Sequence, residues 1–242
     1  LMVSLILAII FVAGIEYFST TINTISLLEE VFGKPMISLK NISIKGITNQ
    51  ETREAEKFRF LRTQIIQPTK GNPITLVLTG INEQRVSPLI ASNLAVSFAR
   101  SGKKTILIDA QFGAPSIHEH FAKHNKFGFS ELLFDVDNIK KYIQHTDDEN
   151  LSIVAAGMKL SYASDTLERS DIGKVFSALK HESDITLVYG PAVNIASETL
   201  HLMTAADAVL CVTKTGTTTC AAATFVQRFC HKHNLDTTII AL

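Results

Sequence analysis

Apolar and polar positions fall into three regimes along the chain. Leu1 to Ile15 is almost wholly apolar, diluted only by Ser4 and Gly14, and Glu16 ends the run. A full membrane span takes about 20 apolar residues. This run is shorter but charge-free and opens the sequence, so residues 1–18 are expected to be a transmembrane helix clipped at its start. A signal peptide fits less well, because no basic stretch precedes the run and no small-x-small site comes after it. Residues 19–50 read as a juxtamembrane linker. Within it, Ser26-Leu-Leu-Glu29 has the form of a capping box, Gly33 and Pro35 end a short helix, and Met36 to Ile47 is extended. Lys34, Lys40 and Lys45 favour a cytoplasmic side for the chain beyond the apolar run.

The third regime, residues 51–242, is expected to be one α/β domain, with its C-terminal end cut within an apolar run at Leu242. Glu51 to Ile66 reads as a helix with Phe58, Leu61 and Ile65 on one face. Short apolar runs then read as buried strands: Ile74–Leu78, Thr105–Ile108, Leu151–Ala155, Ile185–Val188, Ala208–Val212 and Thr238–Ala241. Helical patterns lie between several of them, at Pro88–Arg100, Ser116–Lys123, Asp171–Lys180 and Thr218–His233. Strands without clean alternation, interleaved with amphipathic helices, predict a doubly wound, mostly parallel sheet covered on both faces. In such sheets ligands bind beyond the carboxyl ends of the strands, here just after Leu78, Ile108 and Val188.

Composition narrows the class. Hydrophobic residues are 46% and charged residues 19%, a balance that suits a large buried sheet. Lys+Arg and Asp+Glu are 23 each, so no net charge draws the chain to nucleic acid. Cys211, Cys220 and Cys230 form no C-x-x-C pair and read as reduced thiols.

The loop after the first strand of the domain, Thr79-Gly-Ile-Asn-Glu-Gln-Arg-Val-Ser-Pro88, has the strand–loop–helix frame of a P-loop. A working P-loop needs glycines so that N–H groups curl round phosphate, a Lys for its charge, and a Ser/Thr hydroxyl for Mg²⁺. Gly80 is present, but Gln84 and Val86 carry side chains where glycines belong. Ser87 stands at the Lys position, and Pro88, which has no N–H, stands at the Mg²⁺-ligand position. Arg85 reads as a solvated loop charge rather than a phosphate ligand.

Other motifs support the same frame. Ser92 to Asp109 runs without a gap from helix to second strand, continuing as Asp109-Ala-Gln-Phe-Gly-Ala-Pro-Ser-Ile-His118. Phe127-Gly-Phe-Ser-Glu-Leu-Leu133, Asp184-Ile-Thr-Leu-Val-Tyr-Gly-Pro-Ala-Val193, Glu56-Lys-Phe-Arg-Phe-Leu-Arg-Thr63 and Phe32-Gly-Lys-Pro-Met-Ile37 come in matching order. Together they resemble the bacterial tyrosine kinases, polysaccharide co-polymerases that regulate capsule and exopolysaccharide chain length and share a P-loop fold of the MinD/ParA type. The resemblance implies an Asp-x-Asp motif where Gln111 replaces the second Asp, an Arg where Gly113 stands, and a third-strand Asp where Tyr189 stands. It implies that Glu56, Arg59 and Arg62 contact neighbouring subunits of a ring; read from the residues alone they form an intrahelical charge stripe.

Four losses in three segments leave little to stabilise a phosphoryl-transfer transition state. The expected function is therefore a non-catalytic, kinase-like subunit of a polysaccharide chain-length or export assembly. It would sit at the inner membrane with its main domain cytoplasmic, and its partners would be further copies of itself and membrane proteins of polysaccharide polymerisation or export. No catalytic residue and no cofactor are expected. ATP and Mg²⁺ enter only under the alternative, an autophosphorylating tyrosine kinase with an atypical pocket; a module for another ligand is the third reading. His120 and His124 at i, i+4, and Cys230-His-Lys-His233, lack the further ligands of a metal site, so none is assigned.

Overall fold

In a computed structural model of the chain, residues 21–22, 24–39, 44–48, 51–66, 72–81 and 86–242 are described. The run expected to span a membrane, residues 1–18, lies outside them. Among the described residues no helix is long and apolar enough to cross a bilayer.

Among the described residues eight strands form one sheet. In chain order they are β1 (Ile37–Ser38), β2 (Ile74–Gly80), β3 (Thr105–Asp109), β4 (Gln144–His145), β5 (Leu151–Val154), β6 (Ile185–Tyr189), β7 (Ala208–Thr213) and β8 (Asp236–Ala241). Their spatial order is β1-β8-β7-β2-β6-β3-β5-β4, and every neighbour pair is parallel except β4 with β5. The six sequence-predicted strands are all present within two residues of their expected ends, because an uninterrupted apolar run is what a strand buried on both faces requires.

The helices are α1 (Ile25–Phe32), α2 (Arg53–Ile66), α3 (Pro88–Ala99), α4 (Ile117–His120), α5 (Phe129–Leu132), α6 (Ala163–Arg169), α7 (Ile172–Glu182), α8 (Glu198–Ala205) and α9 (Cys220–Lys232), with a 3-10 helix at Val136–Lys141. They divide between the faces of the sheet. Leu76 and Leu78 of β2 join one core with Phe58 and Leu61 of α2 and Leu94 and Phe98 of α3. Val77 joins the other, with Phe129 of α5, Phe176 of α7, Leu202 of α8 and Val226 of α9. One strand thus feeds two cores by the period-two alternation of its side chains. Each fully buried Leu, Phe or Val contributes on the order of 1.5–3 kcal/mol of transfer free energy, so the two layers clamp the sheet between them.

Several local expectations change. The cap of α1 lies two residues before the expected Ser26: Thr24 Oγ1 accepts from Leu27 N, and Glu29 Oε1 accepts from Met36 N beyond the helix instead of closing a box with Ser26. Gly33 ends α1 in the left-handed conformation at φ 62°, where a Cβ would be strained. The segment from Met36 contributes β1, which pairs with β8 at Ile37 and Ile240, and Leu39 is buried. α4 is one turn long, not eight residues, so His124 is not on a helical face with His120; its N–H instead donates to Gln144 Oε1.

The glycine of Phe127-Gly-Phe-Ser-Glu-Leu-Leu133 is a close-approach residue. A Cβ on Gly128 would fall 2.0 Å from the Ala155 carbonyl oxygen, which accepts from Phe129 N at the end of β5. That motif is therefore a device for packing α5 on the sheet.

Candidate functional site

β2, β6 and β3 lie side by side in the sheet, and their carboxyl ends coincide. Tyr189, the last residue of β6, is in register with Leu78 of β2 and with Asp109, the last residue of β3. Asp109 and Tyr189 thus lie side by side directly after Ile108 and Val188, two of the three positions named from the strand pattern. Gly80 closes β2, and its carbonyl accepts from Val193 N at 3.0 Å. Gln84 and Arg85 lie outside the described residues. Beyond them Val86 is buried, Ser87 makes no side-chain capping bond, and Pro88 is the first residue of α3. Proline suits a first helical position because its missing N–H would find no partner in the helix. The same substitution removes a donor from the helix end that would face an anion.

Tyr189 fills the middle of this arrangement. Its side chain is fully buried, and its hydroxyl donates to the Val86 carbonyl oxygen at 2.5 Å. The bond ties the end of β6 to the loop entering α3. An ionised Asp, which the resemblance implies at this place, accepts only and has no hydrogen to give that carbonyl. Gln111 repeats the pattern. It is buried, and its Nε2 donates to the Gly190 carbonyl oxygen at 2.9 Å, again a bond closed to a carboxylate. Both departures from the acidic pattern are thus donors satisfying backbone carbonyls.

Asp109 keeps its acid, and the fold engages it. Its Oδ1 accepts from Gln111 N at 3.0 Å, and its Oδ2 from Ser116 N at 2.8 Å and Ile117 N at 3.0 Å. The carboxylate is fully buried, and these charge-assisted bonds fold residues 110–117 back over the end of β3. Sequence reasoning missed one neighbour. Thr79, buried at the end of β2, donates its hydroxyl to the Pro191 carbonyl oxygen at 2.7 Å. Thr199 donates to the same oxygen at 3.0 Å. The signal was the Gly190-Pro191 pair that ends β6 and leaves the Pro191 carbonyl outside the ladder.

The charge stripe of α2 lies on the other side of α3. Glu56 and Arg59 form an ion pair one turn apart, with Arg59 Nε at 2.7 Å from Glu56 Oε2. Arg62 instead crosses to α3, donating Nη1 to the Ser97 carbonyl oxygen and approaching Ser97 Oγ at 3.3 Å. Burial, then the nearby Arg59 charge, lowers the pKa of Arg62, with Glu56 opposing. A hollow of about 200 Å³ between α2 and α3 is lined by Arg59, Arg62, Asn93, Ser97 and Arg100. The structure brings the three stripe residues together but gives Arg62 an intrachain role.

The family model described as an AAA domain matches residues 89–235. The chain belongs to that family. The relatives similar in sequence are named tyrosine-protein kinases. Over 145 residues it is 28% identical to CapB of Staphylococcus aureus, named a candidate tyrosine-protein kinase, covering 60% of this chain and 64% of that protein. Over 162 residues it is 26% identical to the tyrosine-protein kinase Etk of Escherichia coli K12, covering 66% of this chain and 22% of that one. The chain therefore spans between about a fifth and two thirds of the length of such relatives. The kinase domain of the Escherichia coli tyrosine kinase superposes with a TM-score of 0.78 at 22% identity, over 91% of this chain and 93% of that one. The chimerical protein CapA2B2 superposes with a TM-score of 0.79 at 20% identity, over 90% and 98%. At such identities these structures establish the fold: a mostly parallel P-loop-type α/β sheet.

Proposed function

We propose that this chain is a non-catalytic, kinase-like subunit of a capsular or exopolysaccharide chain-length or export assembly, anchored at the inner membrane with its folded domain in the cytoplasm. Its work is self-association and the binding of membrane proteins of polysaccharide synthesis. The observation that carries the reading is the Tyr189 hydroxyl on the Val86 carbonyl. A tyrosine stands where a metal-binding acid is implied, and it is fastened to Val86, which leads into α3.

The rest of the site agrees with that reading. Mg²⁺ prefers anionic oxygen ligands. Gln111 and Tyr189 supply none, and Asp109 already accepts three backbone hydrogen bonds. Ser87 supplies no charge for the phosphates, and Pro88 supplies no N–H. The residues at the strand ends do not fit Mg·ATP. Each lost contribution is worth on the order of 2–4 kcal/mol by analogy with a deleted oxyanion donor. Such losses are not additive within one site, yet two of them remove roughly four decades of rate.

A second reading has its own support. The relatives are named tyrosine-protein kinases, which by itself favours an ATP-dependent, autophosphorylating kinase with an atypical pocket. Isothermal titration calorimetry with Mg·ATP, paired with radiolabel transfer from γ-labelled ATP, separates the two. The expected outcome is no binding heat and no labelled tyrosine. Micromolar, Mg²⁺-dependent binding would sink the non-catalytic reading, and label on tyrosine would establish the kinase.

A further inference from the structure

The outward side of α9 exposes both apolar and basic side chains. Ala221, Phe225, Arg228 and Lys232, spaced by three or four residues, are exposed along it, while Ala222, Ala223, Val226 and Cys230 face the core. Phe225 is 44% exposed and stacks on the half-buried Phe229 with ring centroids 6.4 Å apart. Two shallow hollows meet at Phe225. One of about 350 Å³ is lined by Val193, Ile195 and Leu200, and one of about 580 Å³ by Ala221, Arg228, Phe229 and Lys232. Ile195, at the edge of the first, is 59% exposed. Residues 208–235 contain Lys214, Arg228 and Lys232 and no Asp or Glu, in a chain whose charges balance as a whole; Glu198 is the acid of the neighbouring 193–200 segment.

The position of this face is set by the N-terminal side of the chain. Thr21 bridges Thr219, the residue before α9, and Ile22 N donates to the Thr218 carbonyl oxygen at 2.7 Å. Gly216 N returns a bond to the Ile22 carbonyl at 2.9 Å. The polypeptide is thus fastened at the foot of α9 just after the apolar run. The six steps from Ile15 to Thr21 reach at most about 20 Å when fully extended.

We propose that this face, the outer side of α9 with the Val193–Leu200 segment, rests on the surface of an anionic bilayer. The inference rests on the reading of Leu1–Ile15 as a membrane anchor. A span ending near Ile15 keeps the foot of α9 within that short tether of the headgroups. Phe225 and Ile195 are the apolar groups that enter the interface, and Arg228 and Lys232 the cations that meet lipid phosphates. Apolar and aromatic groups backed by Lys and Arg on one helix side are the composition of interfacial helices, and basic residues near such a surface are attracted to anionic lipid. The kinase-like domain is thereby held in one orientation, with the α2–α3 face turned away from the bilayer.

The chain contains no tryptophan, so a single introduced one reports alone. The full chain carrying Phe225→Trp is reconstituted in vesicles containing phosphatidylglycerol, with and without brominated acyl chains. The expected result is loss of roughly half the emission in brominated vesicles. The quenching should weaken in the R228E/K232E background and in phosphatidylcholine vesicles. Phe60→Trp, exposed on α2 across the sheet, is the control and should remain unquenched. A carbonate wash reports the anchor separately. Retention on vesicles with the introduced tryptophan of Phe225→Trp unquenched overturns the docking while leaving the anchor intact. Release by carbonate with the tryptophan of Phe225→Trp still quenched beforehand removes the anchor but keeps the lipid-binding face. Emission shifted to the blue without bromine quenching, together with a doubled mass, overturns the proposal in favour of a second copy covering α9.

Discussion

At the scale of single residues, what decides this site is whether a side chain donates or accepts. Tyr189 and Gln111 both give hydrogens to backbone carbonyls in a buried place. Putting the acid back should therefore harm the fold before it helps any ligand. Tyr189→Asp sets a carboxylate where the Val86 carbonyl has lost its donor, and should cost at least about 3 kcal/mol. Tyr189→Phe, which loses only the hydroxyl, should cost about 1–2 kcal/mol. Urea midpoints at neutral pH measure both; a Tyr189→Asp protein as stable as the parent would show that the loop can open. A second residue-scale prediction concerns Tyr142. Its hydroxyl donates to Asp135 Oδ2 at 2.6 Å, and that bond, reinforced by burial, pushes its pKa up to about 12 from 10.0. A raised folded-state pKa means that this contribution to stability is complete below pH 10 and is lost as pH climbs from 10 towards 12. Asp135 shifts the other way: its pKa is lowered, first by the Tyr142 bond and then by Asn138, so its share is present above the usual carboxylate range and is lost in acid. Tyr142→Phe should flatten the alkaline limb of a stability–pH profile, and a 295 nm titration should lose a tyrosine that ionises at about pH 12. The identities of Tyr189 and Gln111 were legible in the sequence, but their partners were not, because the carbonyls of Val86 and Gly190 come close only after β2, β3 and β6 align.

At the scale of elements, the stripe on α2 divides by role. A spacing of three residues places Glu56, Arg59 and Arg62 together, as helical periodicity requires, yet spacing cannot tell which neighbour each one meets. Arg59 pairs with Glu56 at the surface, where such a pair contributes at most about 1 kcal/mol. Arg62 reaches the Ser97 carbonyl and helps fasten α2 to α3. Charge reversal should separate the two. Arg59→Glu is expected to lower the oligomer mass measured by light scattering with the far-UV circular dichroism unchanged, if α2 is the surface between copies. Arg62→Glu should also lower the urea midpoint. An unchanged mass for Arg59→Glu returns the stripe to a plain intrahelical ion pair. The helices that the sequence left out, α6 and α8, have mixed surfaces and no strong period. Leu167 of α6 and Leu202 and Met203 of α8 are buried because the sheet face already lies beneath them, not because their own pattern demanded a helix.

At the scale of the whole molecule, the domain is a P-loop-type sheet with hydrogen-bond donors, Tyr189 and Gln111, at its central strand ends and with the chain at Thr21 and Ile22 fastened to the foot of α9. If Leu1–Ile15 is a membrane anchor, an alkaline carbonate wash of fractionated cells should leave the protein with the membrane pellet; recovery of the intact chain in the supernatant would reject the anchor. The sequence determined the sheet, its parallel character and the two helix layers. Burial on both faces of a strand and on one side of a helix leaves an apolar period that any single stretch of chain displays locally. It also determined which residue types occupy the three strand ends, because their spacing derives from the strands themselves. Only the tertiary structure decided that β1 joins the sheet edge, that Asp109 caps the turn after its own strand, and that Tyr189 closes on Val86. These are pairings between segments far apart in the chain, with Tyr189 and Val86 separated by 103 positions. The complementarity of a donor and an acceptor is invisible until folding sets them 2.5 Å apart.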